Sequence, residues 1–171
     1  MMGAEGAPSI SPPPNIDKLY RAYGGLVRAR VLRFYRDDEA DDVVQEVFLR
    51  AMEKLHTFRG ESAPSTWLFQ LTTRYCLNRL RDAGRRRELY AEQGDVWWSR
   101  PTTDGDQERR ALLGQLWRQL DEEIVMIGVY YHLDGMSHED IAALVGCSRR
   151  TVGNRLDALT RAATALGQPR S

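Results

Sequence analysis

The sequence predicts an all-α protein built from two small helical domains that a flexible linker joins. Apolar residues recur at intervals of three and four over most of the chain, and Pro and Gly are rare inside those periodic segments. Hydrophobic residues make up 42% of the 171 residues, which is enough for one or two folded cores and excludes disorder as the main state. We therefore expect helices throughout, packed as separate small bundles.

Composition divides the chain into successive segments. Residues 1–15 are rich in Pro, Gly and Ser and predict a disordered N-terminal segment. Residues 16–87 and 108–167 are helically periodic, whereas residues 88–107 mix Gly, Pro, Asp and Thr without sustained periodicity. Because so long an aperiodic stretch is uncommon within one domain, we place an interdomain linker there, with Trp97 and Trp98 inside it.

Charge is balanced in total but sorted along the chain. Lys and Arg number 24 and Asp and Glu also number 24, so the formal net charge is zero. Residues 37–46 carry acidic side chains and no basic ones, whereas residues 74–87 hold six arginines against one acid, Asp82. A neutral total argues against a nucleic-acid partner only when the charges are evenly mixed. The distribution of charge along the chain is therefore more informative about partners than the net charge.

Cysteine usage and hydropathy predict a cytoplasmic protein. Cys76 and Cys147 lie far apart without a motif around them, which is typical of isolated thiols in a reducing compartment rather than of a disulfide framework. No apolar run approaches the roughly 20 residues of a membrane-spanning helix, and the N-terminus does not read as a secretion signal. We expect no membrane insertion.

Residue patterns that would indicate catalysis or metal binding are not found in the sequence. His56, His132 and His138 do not have metal-ligand spacing, and neither a Walker-type loop nor a Gly-x-Ser-x-Gly elbow occurs. The acids of residues 37–46 lie on one helix without a second acidic element, which is a poor site for Mg²⁺. We therefore expect no catalytic residue, no metal, no cofactor and no enzymatic activity.

A helix is predicted over residues 39–55, capped by Asp37 or Asp38. Projected at about 100° per residue, one of its faces is apolar and the opposite face carries acids around Leu49. Two interpretations of the acidic face stay open from this helix alone. It is either a solvated surface with a scattered exposed leucine, or a docking surface for a basic partner.

A second, basic helix is predicted over residues 65–86, after a loop that ends in a Ser or Thr cap. Arginines recur at successive turns of one stripe, and Trp67 stands at its head. A phosphate backbone would neutralise the arginines and an unpaired base would stack on the indole, as in single-strand binding. The alternative is a charged solvent face with Trp67 partly in the core.

The C-terminal residues predict a helix-turn-helix. The sequence SHED at 137–140 is a capping box, Gly146 supplies a tight turn, and Ser148 caps the second helix. Arg150 and Asn154 lie on the outward face of that helix, where Arg suits guanine edges and Asn suits adenine edges. A purely structural helix-turn-helix is the alternative, but the arginines on this face favour DNA.

Four sequence blocks, in this order, resemble the extracytoplasmic-function (group 4) sigma factors of the sigma-70 family. The blocks are DDVVQEVFLRA at 41–51, FRGES at 58–62 with TWL at 66–68, CLNRLR at 76–81, and SRRTVGNRL at 148–156. The resemblance implies a sigma region 2 helical bundle over residues 16–87 and a sigma region 4 helix-turn-helix over residues 108–167. It further implies a protein that binds core RNA polymerase, recognises −10 and −35 promoter elements and helps to open the DNA.

The resemblance also implies roles for individual residues, all of them non-catalytic. Core polymerase would bind a face formed by Asp41, Asp42, Gln45, Glu46 and Leu49. The opened −10 strand would be captured by Arg59, Ser62, Trp67, Arg74, Asn78, Arg81 and Arg85. The −35 duplex would be read by Arg149, Arg150, Thr151, Asn154 and Arg155. An anti-sigma factor is a further expected partner.

Two other classes of function stay open. A stand-alone helix-turn-helix regulator would bind an operator without polymerase, and a protein-interaction adaptor would have no salt-sensitive affinity for DNA.

The start of the predicted second domain departs from the family pattern. The acidic sequence LDEE stands at 120–123, where many members have a Pro-rich segment.

Overall fold

A computed structural model describes residues 15–92, 116–117 and 119–167, with side chains described up to residue 83 in the first range. Its elements are α1 (Ile16–Val31), α2 (Asp37–Lys54), a short 3-10 helix (Leu55–Thr57), α3 (Pro64–Glu92), α4 (Glu122–His132), α5 (His138–Val145) and α6 (Arg149–Gly167). No strand occurs in this part of the chain. The predicted all-α fold class is confirmed.

The chain divides into two compact units, one up to Thr72 and the other from Thr73 onward. This division falls inside α3, whereas the boundary predicted from composition lies in residues 88–107. Because α3 continues to Glu92, residues 88–92 of the predicted linker are helical. The remainder of that linker, with Trp97 and Trp98, lies outside the described residues, as does the predicted disordered segment up to residue 14. The domain boundaries stay a prediction.

The first helix starts at a side-chain cap. Asn15 is the N-cap of α1, and its Oδ1 accepts a hydrogen bond from the backbone N–H of Asp17 at 2.8 Å. Such a bond satisfies one of the N–H groups that a helix start leaves without an intrahelical partner. Asn15 therefore belongs to the helix, although composition places it in the N-terminal segment.

The second helix starts earlier than its predicted first residue, at Asp37, with Arg36 as the N-cap. Asp37 and Asp38 lie in the first turn rather than capping it, so the predicted cap is wrong. Their negative charge is nevertheless favourable at the positive end of the helix dipole. Arg28 of α1 reaches this turn, at 2.7 Å from Asp37 and 3.1 Å from Asp41, and thereby links the two helices.

Apolar side chains from α1, α2 and the start of α3 form the core of the first unit. Val27, Val31, Val43, Val47 and Leu68 are fully buried. Burying each side chain of this size contributes about 1.5–3 kcal/mol. This core fixes which face of α2 remains outside.

One charged side chain also lies in this core. Arg30 is only 4% exposed, and its guanidinium carbon lies 5.0 Å from the ring centroid of Phe34 and 4.4 Å from that of Phe69. A guanidinium is attracted to the negative face of an aromatic ring, which offsets part of the cost of removing the charge from water. Arg30 thus connects α1 to α3 within the first unit.

The third helix begins at Pro64, ahead of the hydroxyl residues that were predicted to cap it. Proline suits the first helical position because its fixed φ is already helical and its missing N–H has no partner there. Ser65 and Thr66 lie inside the helix, so the predicted Ser or Thr cap is wrong. In the preceding loop Gly60 has a φ of 73°, a left-handed conformation that favours glycine.

In the second unit, α4, α5 and α6 pack around a shared core. Ile127 and Tyr130 of α4, Ile141 of α5 and Val152 of α6 are all fully buried. Gly128 permits a close approach of α6, because a Cβ at this position would overlap the side chain of Leu159. The packing holds the two helices of the helix-turn-helix against α4.

Local caps define the ends of these helices. Ser137 Oγ accepts from the backbone N–H of Asp140 at 3.1 Å, and Asp140 Oδ2 accepts from the backbone N–H of Ser137 at 3.4 Å. Gly146 ends α5 with a φ of 71°, and Ser148 Oγ accepts from the backbone N–H of Thr151 at 3.0 Å. The predicted capping box, turn glycine and serine cap are confirmed.

Candidate functional site

The acidic face of α2 is exposed. Asp41, Asp42, Gln45 and Glu46 face solvent, and Leu49 is 51% exposed among them. The buried residues of α2 all lie on its other side. The structure thus brings together every residue predicted for polymerase binding, as an apolar group surrounded by carboxylates.

A groove beside this face was not predicted from the sequence. Tyr20 of α1 is 52% exposed and meets the ring of Phe48 edge-on, with centroids 4.8 Å apart. Next to it, Gly24 and Gly25 leave open space, since nothing beyond their chain neighbours and the backbone of α1 itself lies within 4 Å of where their Cβ atoms would be. The groove is lined by Tyr20, Arg21, Gly24, Gly25, Arg28, Asp41, Val44 and Gln45. Two adjacent glycines inside a periodic helix were the sequence signal for it.

Arg28 gives this groove a fixed positive charge. Its pKa is raised above the usual value, chiefly by the hydrogen bond to Asp37 and then by the one to Asp41. Asp41 is therefore an ion-paired member of the acidic face, whereas Asp42 and Glu46 make no ion pair with any described residue. The latter two carboxylates are available to a basic partner.

The loop before α3 and the head of that helix carry the predicted single-strand residues of the first unit. Arg59 and Ser62 are exposed in the loop, and Trp67 is half-buried. The ring of Phe58 lies 5.4 Å from that of Trp67, with the planes inclined by 55°. The indole is thus partly accessible and held from one side by a second ring.

The predicted single-strand residues of the second unit lie along α3, and two of them have an acidic neighbour. Arg74 Nε lies 2.8 Å from Glu122 Oε1, and Asn78 Nδ2 donates to the same oxygen at 3.4 Å. Arg81 is half-buried, and the side chain of Arg85 is outside the described residues. The stripe is therefore less open to solvent than its helical spacing predicts.

Helix α6, which the sequence predicts as the recognition helix, presents two kinds of side chain. Arg150 and Asn154 are exposed and make no hydrogen bond or ion pair with the described residues. Arg149 lies 2.6 Å from Glu139 of α5, and Arg155 lies 2.6 Å from Glu123 of α4. Thr151 shares a hydroxyl hydrogen bond of 2.8 Å with Ser148 at the helix start. Of the five residues predicted to read the −35 duplex, Arg150 and Asn154 are therefore the two whose side chains no described residue engages.

Across the residues that the structure describes, no three His, Cys, Asp or Glu side chains converge where a metal ion would bind. In the same part of the chain, no helix combines the length and the hydropathy needed to cross a bilayer.

Comparison with known proteins identifies relatives over most of the chain. Residues 19–86 match the family model of Sigma-70 region 2. The chain is 31% identical over 153 residues to the RNA polymerase sigma-H factor of Pseudomonas aeruginosa, covering 82% of this chain and 79% of that protein. It is 30% identical over 146 residues to the ECF RNA polymerase sigma-E factor of Escherichia coli K12, covering 78% and 76%.

Solved structures give a weaker match. A sigma factor of Bartonella quintana, crystallised with the anti-sigma factor NepR, is 23% identical with a TM-score of 0.47, covering 88% of this chain and 94% of that chain. The sequence relatives decide the class: the chain belongs to the extracytoplasmic-function sigma factors of the sigma-70 family. It acts in transcription initiation as a non-enzymatic subunit, as the sequence predicts.

Proposed function

We propose that this sigma factor binds core RNA polymerase through the acidic face of α2 and directs it to promoters through α3 and α6. The observation that carries the proposal is the separation of exposed groups. Carboxylates surround Leu49 on α2, whereas Arg150 and Asn154 face solvent on the second helix of a helix-turn-helix. Exposed carboxylates favour a basic protein surface, and exposed guanidinium groups favour nucleic acid.

The polymerase-binding surface consists of Asp41, Asp42, Gln45, Glu46 and Leu49. Leu49 is the apolar anchor, since a half-exposed leucine gains free energy when a partner covers it. Asp42 and Glu46 steer a basic partner toward that anchor, because complementary charges raise the rate of productive encounter. The groove between α1 and α2 extends the same surface by Tyr20.

The −35 element is read as duplex by α6. Arg150 and Asn154 contact base edges in the major groove, because they are the exposed side chains near the start of the recognition helix. Arg149, Thr151 and Arg155 complete the surface by contacting phosphates. The base contacts specify the sequence, and the phosphate contacts position the helix on the duplex.

The −10 element is captured as an opened strand. In the first unit Arg59, Ser62 and Trp67 surround and stack on an unpaired base, since an aromatic face accepts any base. In the second unit Arg74, Asn78, Arg81 and Arg85 follow the phosphate backbone along α3. Because these groups bind the opened strand better than the duplex, they shift the equilibrium toward open DNA.

Two further statements belong to the same proposal. The protein acts in the cytoplasm, where core polymerase and promoter DNA are found. An anti-sigma factor restrains it by covering surfaces that polymerase uses. The exposed Tyr20 and Leu49 support such competition, since one apolar surface serves two partners in turn.

In vitro transcription with purified core polymerase and a promoter library tests the proposal. Asp42→Arg with Glu46→Arg reverses two exposed charges and is expected to abolish binding to core polymerase with the fold intact. The control, Glu61→Arg with Asp82→Arg, reverses two exposed charges elsewhere and is expected to retain binding. Unchanged co-purification of the first variant with core polymerase would contradict the assignment.

The in vitro transcription assay also separates the other classes of function. A stand-alone regulator binds its operator without polymerase, and an adaptor has no salt-sensitive affinity for DNA. Promoter-selective transcription that requires both this protein and core polymerase would exclude both the stand-alone regulator and the adaptor.

A further inference from the structure

Glu122 and Glu123 lie in the first turn of α4, and each contacts a side chain that the proposed function assigns to DNA. Glu122 Oε1 pairs with Arg74 Nε at 2.8 Å and accepts from Asn78 Nδ2 at 3.4 Å. Glu123 Oε2 pairs with Arg155 Nη2 at 2.6 Å. All of these residues belong to the second compact unit. Two adjacent acids therefore contact both α3 and α6.

The contacted groups are partly withdrawn from solvent. The Arg155 side chain is 26% exposed, and its Nη1 is buried without a hydrogen-bond partner in the described residues. Asn78 Oδ1 and Arg81 Nε are likewise buried without a partner there. Because unpaired buried polar atoms are unfavourable, this conformation carries a free-energy cost at these groups.

The acids resemble the proposed ligand chemically. Carboxylate and phosphate oxygens both accept charge-assisted hydrogen bonds from a guanidinium group, and both match its geometry. Glu122 therefore occupies on α3 a position suited to a phosphate, and Glu123 does the same on α6. A DNA phosphate and a carboxylate cannot both accept a hydrogen bond from the same side-chain N–H group at the same time.

Resting on the proposed function, we propose that Glu122 and Glu123 form an autoinhibitory contact. In the free protein they occupy DNA-binding groups of α3 and α6, and they lower its affinity for nucleic acid until a partner draws α4 away. Each ion pair is partly exposed, so each changes an equilibrium by about 1.5- to 5-fold. Such weak contacts suppress indiscriminate binding and are released by modest binding energy from a partner.

Glutamine substitutions in the full-length protein test this inference. The probes are a fluorescein-labelled single-stranded oligonucleotide of mixed sequence and the corresponding duplex, with affinity measured by fluorescence anisotropy. We expect Glu122→Gln to raise the single-strand affinity and Glu123→Gln to raise the duplex affinity, each by about 1.5- to 5-fold. In an Arg74→Ala background, Glu122→Gln is expected to give a smaller gain, because only the 3.4 Å hydrogen bond from Asn78 is left to release.

The matched control is Asp37→Asn. Asp37 is also a first-turn carboxylate paired with an arginine, at 2.7 Å, and its loss changes the net charge by the same amount. It lies in the first unit and has no proposed role in DNA binding. An equal gain in affinity from Asp37→Asn would show that the effect comes from net charge alone and would overturn the inference. The absence of a gain from the glutamine variants would overturn it as well.

Folding and function are separated by two more measurements. Circular dichroism checks α4, and Glu122→Asp keeps the first-turn charge with a shorter reach, so it is expected to show a gain even where the glutamine variant loses helix. Transcription by the holoenzyme with Arg74→Ala or Arg155→Ala tests the proposed function itself. If these variants reduce transcription while the glutamine variants bind as wild type does, only the inference fails. If they leave transcription unchanged, the assigned DNA contacts and the inference both fail.

Discussion

The ring of Trp67 lies against the ring of Phe58, with centroids 5.4 Å apart and planes inclined by 55°. Phe58 precedes the loop and Trp67 follows it, so the pair holds the loop's two ends together at the head of α3. The exposed Arg59 and Ser62 lie between them in sequence. One short segment thus presents both an aromatic ring and a positively charged side chain.

Trp67→Ala is expected to weaken binding of an opened −10 strand by about 1–3 kcal/mol, the usual contribution of one base stacked on an aromatic ring. Trp67→Phe keeps an aromatic face and is expected to retain part of that binding. The measurement compares holoenzyme affinity for a fork-shaped promoter probe with affinity for a fully paired one. An equal loss on both probes would contradict a stacking role.

Arg150→Ala is expected to weaken binding to the −35 duplex by about 1–3 kcal/mol and to relax base preference there. Arg161→Ala, a change of the same type farther along α6, serves as the comparison, and its smaller loss should be uniform across sequences with a reduced salt slope. Competition among −35 variants provides the measurement. A uniform loss from Arg150→Ala would show that its contact is to phosphate only.

Two glycines of the helix-turn-helix are expected to respond to alanine in opposite directions. Gly153 is inside α6, and nothing beyond its chain neighbours and the backbone of α6 itself lies within 4 Å of a Cβ position, so Gly153→Ala should stabilise the protein by up to about 1 kcal/mol. Gly146 has a φ of 71°, so Gly146→Ala should destabilise it by about 1–2 kcal/mol. Urea unfolding measures both, and a shift of the same sign would refute this account.

The Glu139 carboxylate is expected to titrate below its ordinary pKa of 4.5. The pKa is lowered chiefly by a hydrogen bond to its own backbone and then by Arg149. A lowered pKa means that the ionised form contributes stability above the ordinary value, and that this contribution is lost as the pH falls through the folded-state pKa. Carboxyl chemical shifts provide the midpoint. Arg149→Ala should raise it only in part, because the backbone hydrogen bond remains.

Local chemistry decided what could be predicted of the fold. Ser137, Gly146 and Ser148 each act on backbone groups within a few residues, so the helix-turn-helix ends follow directly from the sequence. The starts of α2 and α3 were missed because several candidate caps compete there. At Pro64 the fixed φ of proline places the helix start ahead of the hydroxyl residues.

The site was predictable where one helix face defines it. The acids around Leu49 follow from helical spacing, but the groove beside them depends on how α1 packs against α2. The acidic partners of Arg74 and Arg155 were also invisible, because Glu122 and Glu123 are distant from them in sequence. Helical projection shows which way a side chain faces, and only tertiary structure shows what meets it.

Arg30 and Tyr20 contact aromatic rings from opposite ends of α1, Arg30 at Phe69 and Tyr20 at Phe48. Their helical spacing points them in different directions around the helix axis. Rotation of α1 by one residue would therefore break both contacts at once. The rotational setting of α1 is fixed before any partner arrives, so the groove at Gly24 and Gly25 is pre-organised and a partner would not have to order it.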